Sequence, residues 1–153
     1  MIQILPGDGI IYTNSNLFDD IQKVKMGSDA THFEVCVGPN KVVTSLLKNG
    51  VGIYDQCADT VLRVIRPVVP FYINDALDLF RKTIEGFPYG VEGLLNFTDQ
   101  NIPDVGMFCS QVGTLFYRGG MLEPFNPMVQ ARKVAPMHYL YASEQVFKIA
   151  WPA

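Results

Sequence analysis

The clearest alternation of polar and apolar side chains lies in residues 31–37, which are rich in β-branched and apolar types. Gly38-Pro39-Asn40 supplies a turn and residues 41–45 return with a similar composition, so this stretch predicts a β-hairpin. Four shorter runs of the same kind predict further strands, at residues 10–13, 51–54, 60–65 and 146–149. Because the connecting turns near the hairpin are short, we expect antiparallel pairing.

Period-two alternation assigns the side chains of the first hairpin strand to two faces. His32, Glu34 and Cys36 share one face, and the apolar residues between and after them share the other. This separation predicts a sheet with one face on a core and the other on a cleft.

The first helical pattern follows Pro70. Apolar residues recur at helical spacing from Ile73 to Ile84, and Gly86 ends the pattern. Residues 14–30 are interpreted as a short amphipathic helix or a loop, and residues 87–103 as a loop.

A second helix is predicted over residues 104–118, with Asp104 as its N-cap. Its buried stripe is expected to contain Phe108 and Val112. Cys109 then falls in the first or second turn, close to the positive end of the helix dipole.

Length and composition limit the classes of protein to which the chain can belong. With 153 residues, 48% apolar and 18% charged, it is expected to form one α+β domain over residues 1–153. The net charge of −3 and the lack of a Lys/Arg cluster argue against nucleic-acid binding. No apolar run reaches the ~18 residues of a membrane span and no signal-peptide pattern is seen, so a cytoplasmic location without a transmembrane segment is predicted.

The cysteine and histidine spacing argues against a metal site. The odd number of cysteines predicts reduced thiols. No C-x-x-C pair occurs and His32 and His138 are far apart, so we expect neither structural zinc nor another metal. No glycine-rich nucleotide motif occurs either, and no cofactor is predicted.

Cys109 and His32 form the candidate reactive pair. A helix N-terminus and a neighbouring imidazolium both stabilise a thiolate, the nucleophilic form of cysteine. Taken singly, a cysteine in an apolar helix is most often a packing residue and a histidine on a strand is most often structural. Cys36 and Cys57 are interpreted as packing residues, and His138 as a structural or surface residue.

The order of the motifs along the chain changes that interpretation. The succession is Pro6-Gly7-Asp8, Thr31-His32-Phe33-Glu34, Gly38-Pro39-Asn40-Lys41-Val42-Val43, Gly50-Val51, Phe108-Cys109-Ser110 and Val134-Ala135-Pro136. It resembles the YiiX-like branch of the NlpC-type papain-fold superfamily, from Leu5 to about Ile149. The lecithin–retinol acyltransferase-like proteins and a poxvirus protein group share the same order.

The resemblance implies a circularly permuted papain-like fold, in which the strand with the histidine precedes the helix with the cysteine. A small antiparallel β-sheet or barrel would pack against that nucleophile-bearing helix. The resemblance also implies that Cys109 is the nucleophile and that His32 is the general base and then the acid to the leaving group.

The third residue, which orients the imidazole, departs from the pattern. Related proteins often place a His or Glu on the next strand, where this chain has Thr44. A hydroxyl can accept the imidazole N–H but cannot hold an imidazolium as a carboxylate does. Glu34 shares the face of His32, about 7 Å away along the strand. We favour Glu34, with Thr44 as the second candidate.

Further donors and surfaces complete the predicted site. The backbone N–H of Cys109 would stabilise the oxyanion, and Tyr12 is the candidate second donor. Asp8 is expected to cap a turn. Most aromatic residues are expected in the core, with an apolar cleft near the Cys109 helix as the alternative.

These features predict a small cysteine hydrolase that cleaves an amide bond of a peptide or cell-wall peptide through an acyl-thioester at Cys109. The alternatives are a thiol acyltransferase or lipid-ester hydrolase with the same dyad, and a non-catalytic binding or virion protein that keeps the fold. The expected partner is a peptide or acyl substrate. The short single-domain form without an export signal fits a bacterial, phage-encoded or virion-associated protein.

Overall fold

A computed structural model describes residues 3–13, 27–90 and 106–152 of the chain. Asp104 and most of the segments 14–30 and 87–103 therefore lie outside the described residues. The described part is an α+β structure in which six strands form one antiparallel sheet, in the order β4-β3-β2-β1-β5-β6. The strands are β1 (Gly9–Thr13), β2 (His32–Gly38), β3 (Lys41–Leu46), β4 (Gly50–Asp55), β5 (Thr60–Pro67) and β6 (Phe147–Trp151).

Two α-helices accompany the sheet in the described residues, α1 (Ile73–Thr83) and α2 (Cys109–Gly119). Two short 3₁₀ helices, Ala131–Lys133 and Pro136–Tyr141, follow α2. Each α-helix has 11 residues, and no helix in the described part of the chain is long and apolar enough to cross a bilayer.

The sheet confirms the predicted strands and their antiparallel pairing. Each strand lies within two residues of its predicted bounds, and β6 closes the sheet by pairing with β5. Short turns account for this agreement, since Asn40 in the β2–β3 turn adopts a left-handed φ of 54° that asparagine tolerates well.

Helix α2 packs on one face of the sheet, where Phe33 and Val35 of β2 join Val112 in the main core. Gly113 allows the close approach, because a Cβ at this position would overlap the ring of Phe33. This contact brings the first turn of α2 towards the start of β2.

The opposite face of the sheet is buried as well, so the expectation that it lines an open cleft is wrong. Glu34 and Cys36 are 1% and 4% exposed, and Cys36 packs in a second apolar cluster with Ile10 and Val42. A polar residue can be buried where its polar atoms find partners, and a cysteine behaves as a small apolar residue. The polar residues of β2 were therefore not a sign that this face is exposed to solvent.

The predicted start of α2 at Asp104 is also wrong. The helix begins at Cys109 after Phe108, which is extended (φ −95°, ψ 166°) and provides no side-chain cap. Phe108 is fully buried against Ala135, so its apolar character belongs to a packed extended residue rather than to the helical stripe. Cys109 is consequently the first residue of the helix.

Candidate active site

Met107, two residues before Cys109, is held by hydrogen bonds through both its carbonyl and its N–H. The carbonyl of Met107 accepts bonds from Ser45 Oγ (2.7 Å) and from the Gly90 N–H (3.1 Å). The Met107 N–H donates to the Pro88 carbonyl at 2.9 Å. These bonds fix the point at which the chain turns into α2, and with it the position of Cys109.

The first turn of α2 is also tied to the segment Val134-Ala135-Pro136. Ser110 is buried and its hydroxyl donates to the Val134 carbonyl at 2.6 Å. The first N–H groups of a helix have no acceptor within the helix, and the first turn of α2 carries no acidic residue. The start of α2 therefore offers a positive potential at Cys109.

His32, the first residue of β2, lies beside Cys109, whose charge and hydrogen bonding raise the pKa of the imidazole. Cys109 has no exposed surface, whereas the His32 side chain is 15% exposed. The pair therefore meets solvent at the imidazole rather than at the sulfur.

Both candidates for the orienting residue contact the same nitrogen of His32. Glu34 Oε1 lies 3.1 Å from Nε2, and Thr44 Oγ1 lies 3.5 Å from it. The Thr44 hydroxyl donates its own proton to the Phe33 carbonyl at 2.8 Å. Glu34 is thus the nearer and stronger acceptor for Nε2.

Tyr12 and Cys57 satisfy the other oxygen of Glu34. The Tyr12 hydroxyl donates to Oε2 at 2.7 Å, and the backbone N–H of Cys57 donates to the same atom at 3.3 Å. The predicted role of Tyr12 as an oxyanion donor is therefore unsupported, because its single proton is used on Glu34. Sequence patterns did not indicate the Cys57 contact, since it comes from a backbone group after β4.

The pKa of His32 is raised from 6.5 to about 10. Burial alone lowers this pKa, but the charge of and the hydrogen bond to Cys109, followed by those of Glu34, outweigh it. At neutral pH the favoured form of the ring is an imidazolium held between a sulfur and a carboxylate. Such a cation stabilises a neighbouring thiolate.

The other two thiols have the opposite electrostatic setting. All three cysteines are free, and the half-buried Cys57 donates to Asp59 Oδ2 at 2.7 Å. Burial and the hydrogen bond to Asp59 raise the pKa of Cys57 to about 12. Burial also raises the pKa of Cys36, whose Sγ lies 3.4 Å from the Gly38 carbonyl. Both thiols are therefore weak nucleophiles near neutral pH.

Asp8 and His138 have local structural partners. Asp8 is 1% exposed, caps the turn by accepting the Leu5 N–H at 2.8 Å, and forms two bonds of 2.8 and 2.7 Å with Arg66. The Arg66 contact was not predicted, because the two residues are far apart in sequence. His138 Nδ1 accepts the Ala135 N–H at 2.8 Å, and burial lowers the pKa of His138.

The two cavities described next are lined by neither Cys109 nor His32. One of about 90 Å³ lies between α1 and α2, and one of about 290 Å³ includes Val134, Tyr141 and Lys133. Most of the aromatic side chains are instead in the core, where Phe33 stacks on Tyr139 with ring centroids 3.8 Å apart.

The described residues contain no group of three or more histidine, cysteine, aspartate or glutamate side chains that could hold a metal ion. No family model and no curated protein matches the sequence.

Proposed function

We propose that this chain is a cysteine hydrolase of the permuted papain-like type, with Cys109 as nucleophile, His32 as acid and base, and Glu34 as the orienting residue. The observation that carries the proposal is the contact of one imidazole with both Cys109 and Glu34 at the first residue of a helix. The order of the motifs along the chain supports the same assignment.

In the first step the Cys109 thiolate attacks the carbonyl carbon of an amide or ester, and the carbonyl π electrons move to its oxygen. The N–H of Cys109, at the start of the helix, would donate to that oxyanion. The His32 imidazolium gives its proton to the leaving nitrogen or oxygen, the bond to that atom breaks, and an acyl-thioester remains on Cys109.

In the second step the neutral imidazole of His32 removes a proton from water as the water oxygen attacks the thioester carbonyl. The C–S bond then breaks, the carboxylic product leaves, and the thiolate–imidazolium pair is restored. Glu34 keeps the ring in one orientation through both steps, which a neutral hydroxyl such as that of Thr44 does less well. Peptide-like amides are the proposed substrates.

A small activated ester tests this function with little demand on access to the buried sulfur. We expect p-nitrophenyl acetate to give a burst of p-nitrophenol and an acetyl group on Cys109, mapped by peptide mass spectrometry. Cys109→Ala should abolish the burst, and Cys57→Ala, which removes the more exposed thiol, should leave it intact. Acetylation of Cys57 first, or an unchanged burst in Cys109→Ala, would contradict the proposal.

Transfer of the acyl group to water or to another acceptor can be separated in the same experiment. Adding a primary amine or an alcohol during turnover shows which nucleophile accepts the acyl group. A product that is mainly acetate supports hydrolysis, whereas an acetylated amine or alcohol as the main product supports the acyltransferase alternative.

A further inference from the structure

We propose that Tyr12 is a positioning residue of this site, whose hydroxyl holds the Glu34 carboxylate in place against His32. The inference rests on the proposed function, because it assigns Tyr12 a part in maintaining the imidazolium that faces Cys109. It replaces the role of oxyanion donor that the sequence suggested for Tyr12.

The register of β1 and β2 places Tyr12 beside both members of the pair. Tyr12 lies opposite His32 in the β1–β2 ladder, with ring centroids 5.9 Å apart. From there its hydroxyl reaches diagonally to Glu34 Oε2 at 2.7 Å, while Glu34 Oε1 faces His32 at 3.1 Å. One carboxylate is thus shared between a donor that fixes it and the imidazole that it orients.

The direction of the Tyr12 bond follows from the chemistry of its surroundings. Tyr12 is fully buried, and burial together with the Glu34 carboxylate raises the pKa of Tyr12 well above its usual range. The phenol therefore remains protonated and donates, and Glu34 accepts. With the Cys57 N–H as second donor, two groups stabilise the charged form of a carboxylate that is only 1% exposed.

Loss of the hydroxyl has a predictable sign. A buried carboxylate with one donor fewer is less stable as an anion and is held less firmly in place. A Glu34 carboxylate that is held less firmly stabilises the His32 imidazolium less well, so the imidazolium–thiolate pair is less favoured over the uncharged imidazole–thiol pair. The effect should disappear at alkaline pH, where thiols ionise without help.

The test compares Tyr12→Phe with Tyr117→Phe, a matched loss of a buried hydroxyl whose acceptor is the Gly7 carbonyl at 3.0 Å. The rate of Cys109 alkylation by iodoacetamide is measured from pH 5.5 to pH 9 (roughly the range in which thiols ionise). Tyr12→Phe should slow alkylation about tenfold at the acid end, the scale of one hydrogen bond to a charged group. It should approach the wild-type rate at the alkaline end, whereas Tyr117→Phe should follow the wild type throughout.

The outcomes separate the two proposals. Fast wild-type alkylation at acid pH with an unchanged Tyr12→Phe profile overturns the role of Tyr12 and leaves the hydrolase proposal standing. A slow wild-type reaction with no acid-side advantage over Cys57 overturns both. If Tyr12→Phe does not fold, meta-fluorotyrosine can be incorporated in place of Tyr12, since it retains the hydroxyl as a stronger donor. Alkylation of Cys109 at acid pH should then be as fast as in the wild type or faster, and a slower reaction would refute the role.

Discussion

Replacing His32 by alanine should slow alkylation of Cys109 at pH 6.5 by about tenfold, because less of the sulfur is then ionised. In the wild type the imidazolium contacts the sulfur and has a raised pKa of about 10, so it is present at this pH. The variant removes this counterion, while Glu34 keeps its bonds to Tyr12 and to the Cys57 N–H. The local fold is therefore expected to survive.

The magnitude comes from two opposing effects. An ordinary thiol with a pKa of ~8.5 is ionised to about 1% at pH 6.5, whereas a thiolate paired with an imidazolium is ionised almost completely. This difference favours the wild type by about a hundredfold. A less basic thiolate is also a weaker nucleophile, with a Brønsted coefficient of about 0.4–0.5. The thiolate of the variant is the more basic one, so it reacts about tenfold faster per ionised molecule.

The assay follows the modification of each cysteine by peptide mass spectrometry over time. Cys36, which is also buried, controls for access, and the half-buried Cys57 controls for general thiol reactivity. We expect Cys109 to react first at pH 6.5 despite its burial, because the pKa values of both other thiols are raised. Equal rates in wild type and His32→Ala, or modification of Cys57 before Cys109, would refute the ion-pair argument.

Three further outcomes are expected. Because the pKa of His32 is raised to about 10, amide hydrolysis should persist above pH 6.5. A pH–rate profile should show the rate fall only as the pH rises through about 10, where His32 loses the proton that it gives to the leaving group. Glu34→Gln should reduce acylation by about 10²–10⁴-fold, the range for an acid–base group such as His32 that is no longer held in position, and stopped-flow burst kinetics would show it. The reason is that a single amide oxygen cannot accept from Tyr12, Cys57 and His32 together. Arg66→Ala should lower the free energy of unfolding by roughly 2–3 kcal/mol in a urea titration, because it leaves the buried Asp8 carboxylate without its cationic partner. The alkylation profile should not change.

The strands of this fold could be predicted because their signal is local. Alternating side chains and short turns can be recognised from consecutive residues alone. The β2–β3 hairpin, for example, consists of a seven-residue strand, one turn and a return strand that are adjacent in the sequence. The start of α2 could not be placed in this way. Phe108 fits the helical period, yet its burial against Ala135 is a long-range contact that a single sequence does not display.

In the candidate site too, local features could be predicted from the sequence and long-range contacts could not. His32 and Cys109 were selected by residue type and order, and the structure brings them into contact. The sequence could not decide between Glu34 and Thr44, because the choice depends on which side chain comes closer to the His32 ring in the folded protein. The two carboxylate oxygens of Glu34 meet His32 and Tyr12 because Tyr12 lies opposite His32 in the β1–β2 register, and that register is set by pairing rather than by spacing along β2.

The distance between the nucleophile and the imidazole should depend on one glycine of α2. His32 and Glu34 share a strand, so their relative position is fixed within β2. The position of Cys109 beside His32 depends instead on how closely α2 lies against Phe33, an approach that Gly113 allows. Gly113→Ala places a methyl group into that ring and should push the first turn of α2 away from the sheet. The contact with His32 weakens, and the acid-side alkylation of Cys109 should fall towards the level of His32→Ala.

Gly119→Ala provides the matched control on the same helix. A Cβ there would lie 3.3 Å from Leu79 Cδ2, the end of a flexible and half-exposed side chain, so α2 can keep its place. Both substitutions raise helix propensity, by up to about 1 kcal/mol, and therefore differ mainly in what the new methyl group meets. If Gly113→Ala folds with an unchanged alkylation profile, or if Gly119→Ala loses the profile equally, the close approach of α2 to Phe33 is not what holds Cys109 beside His32.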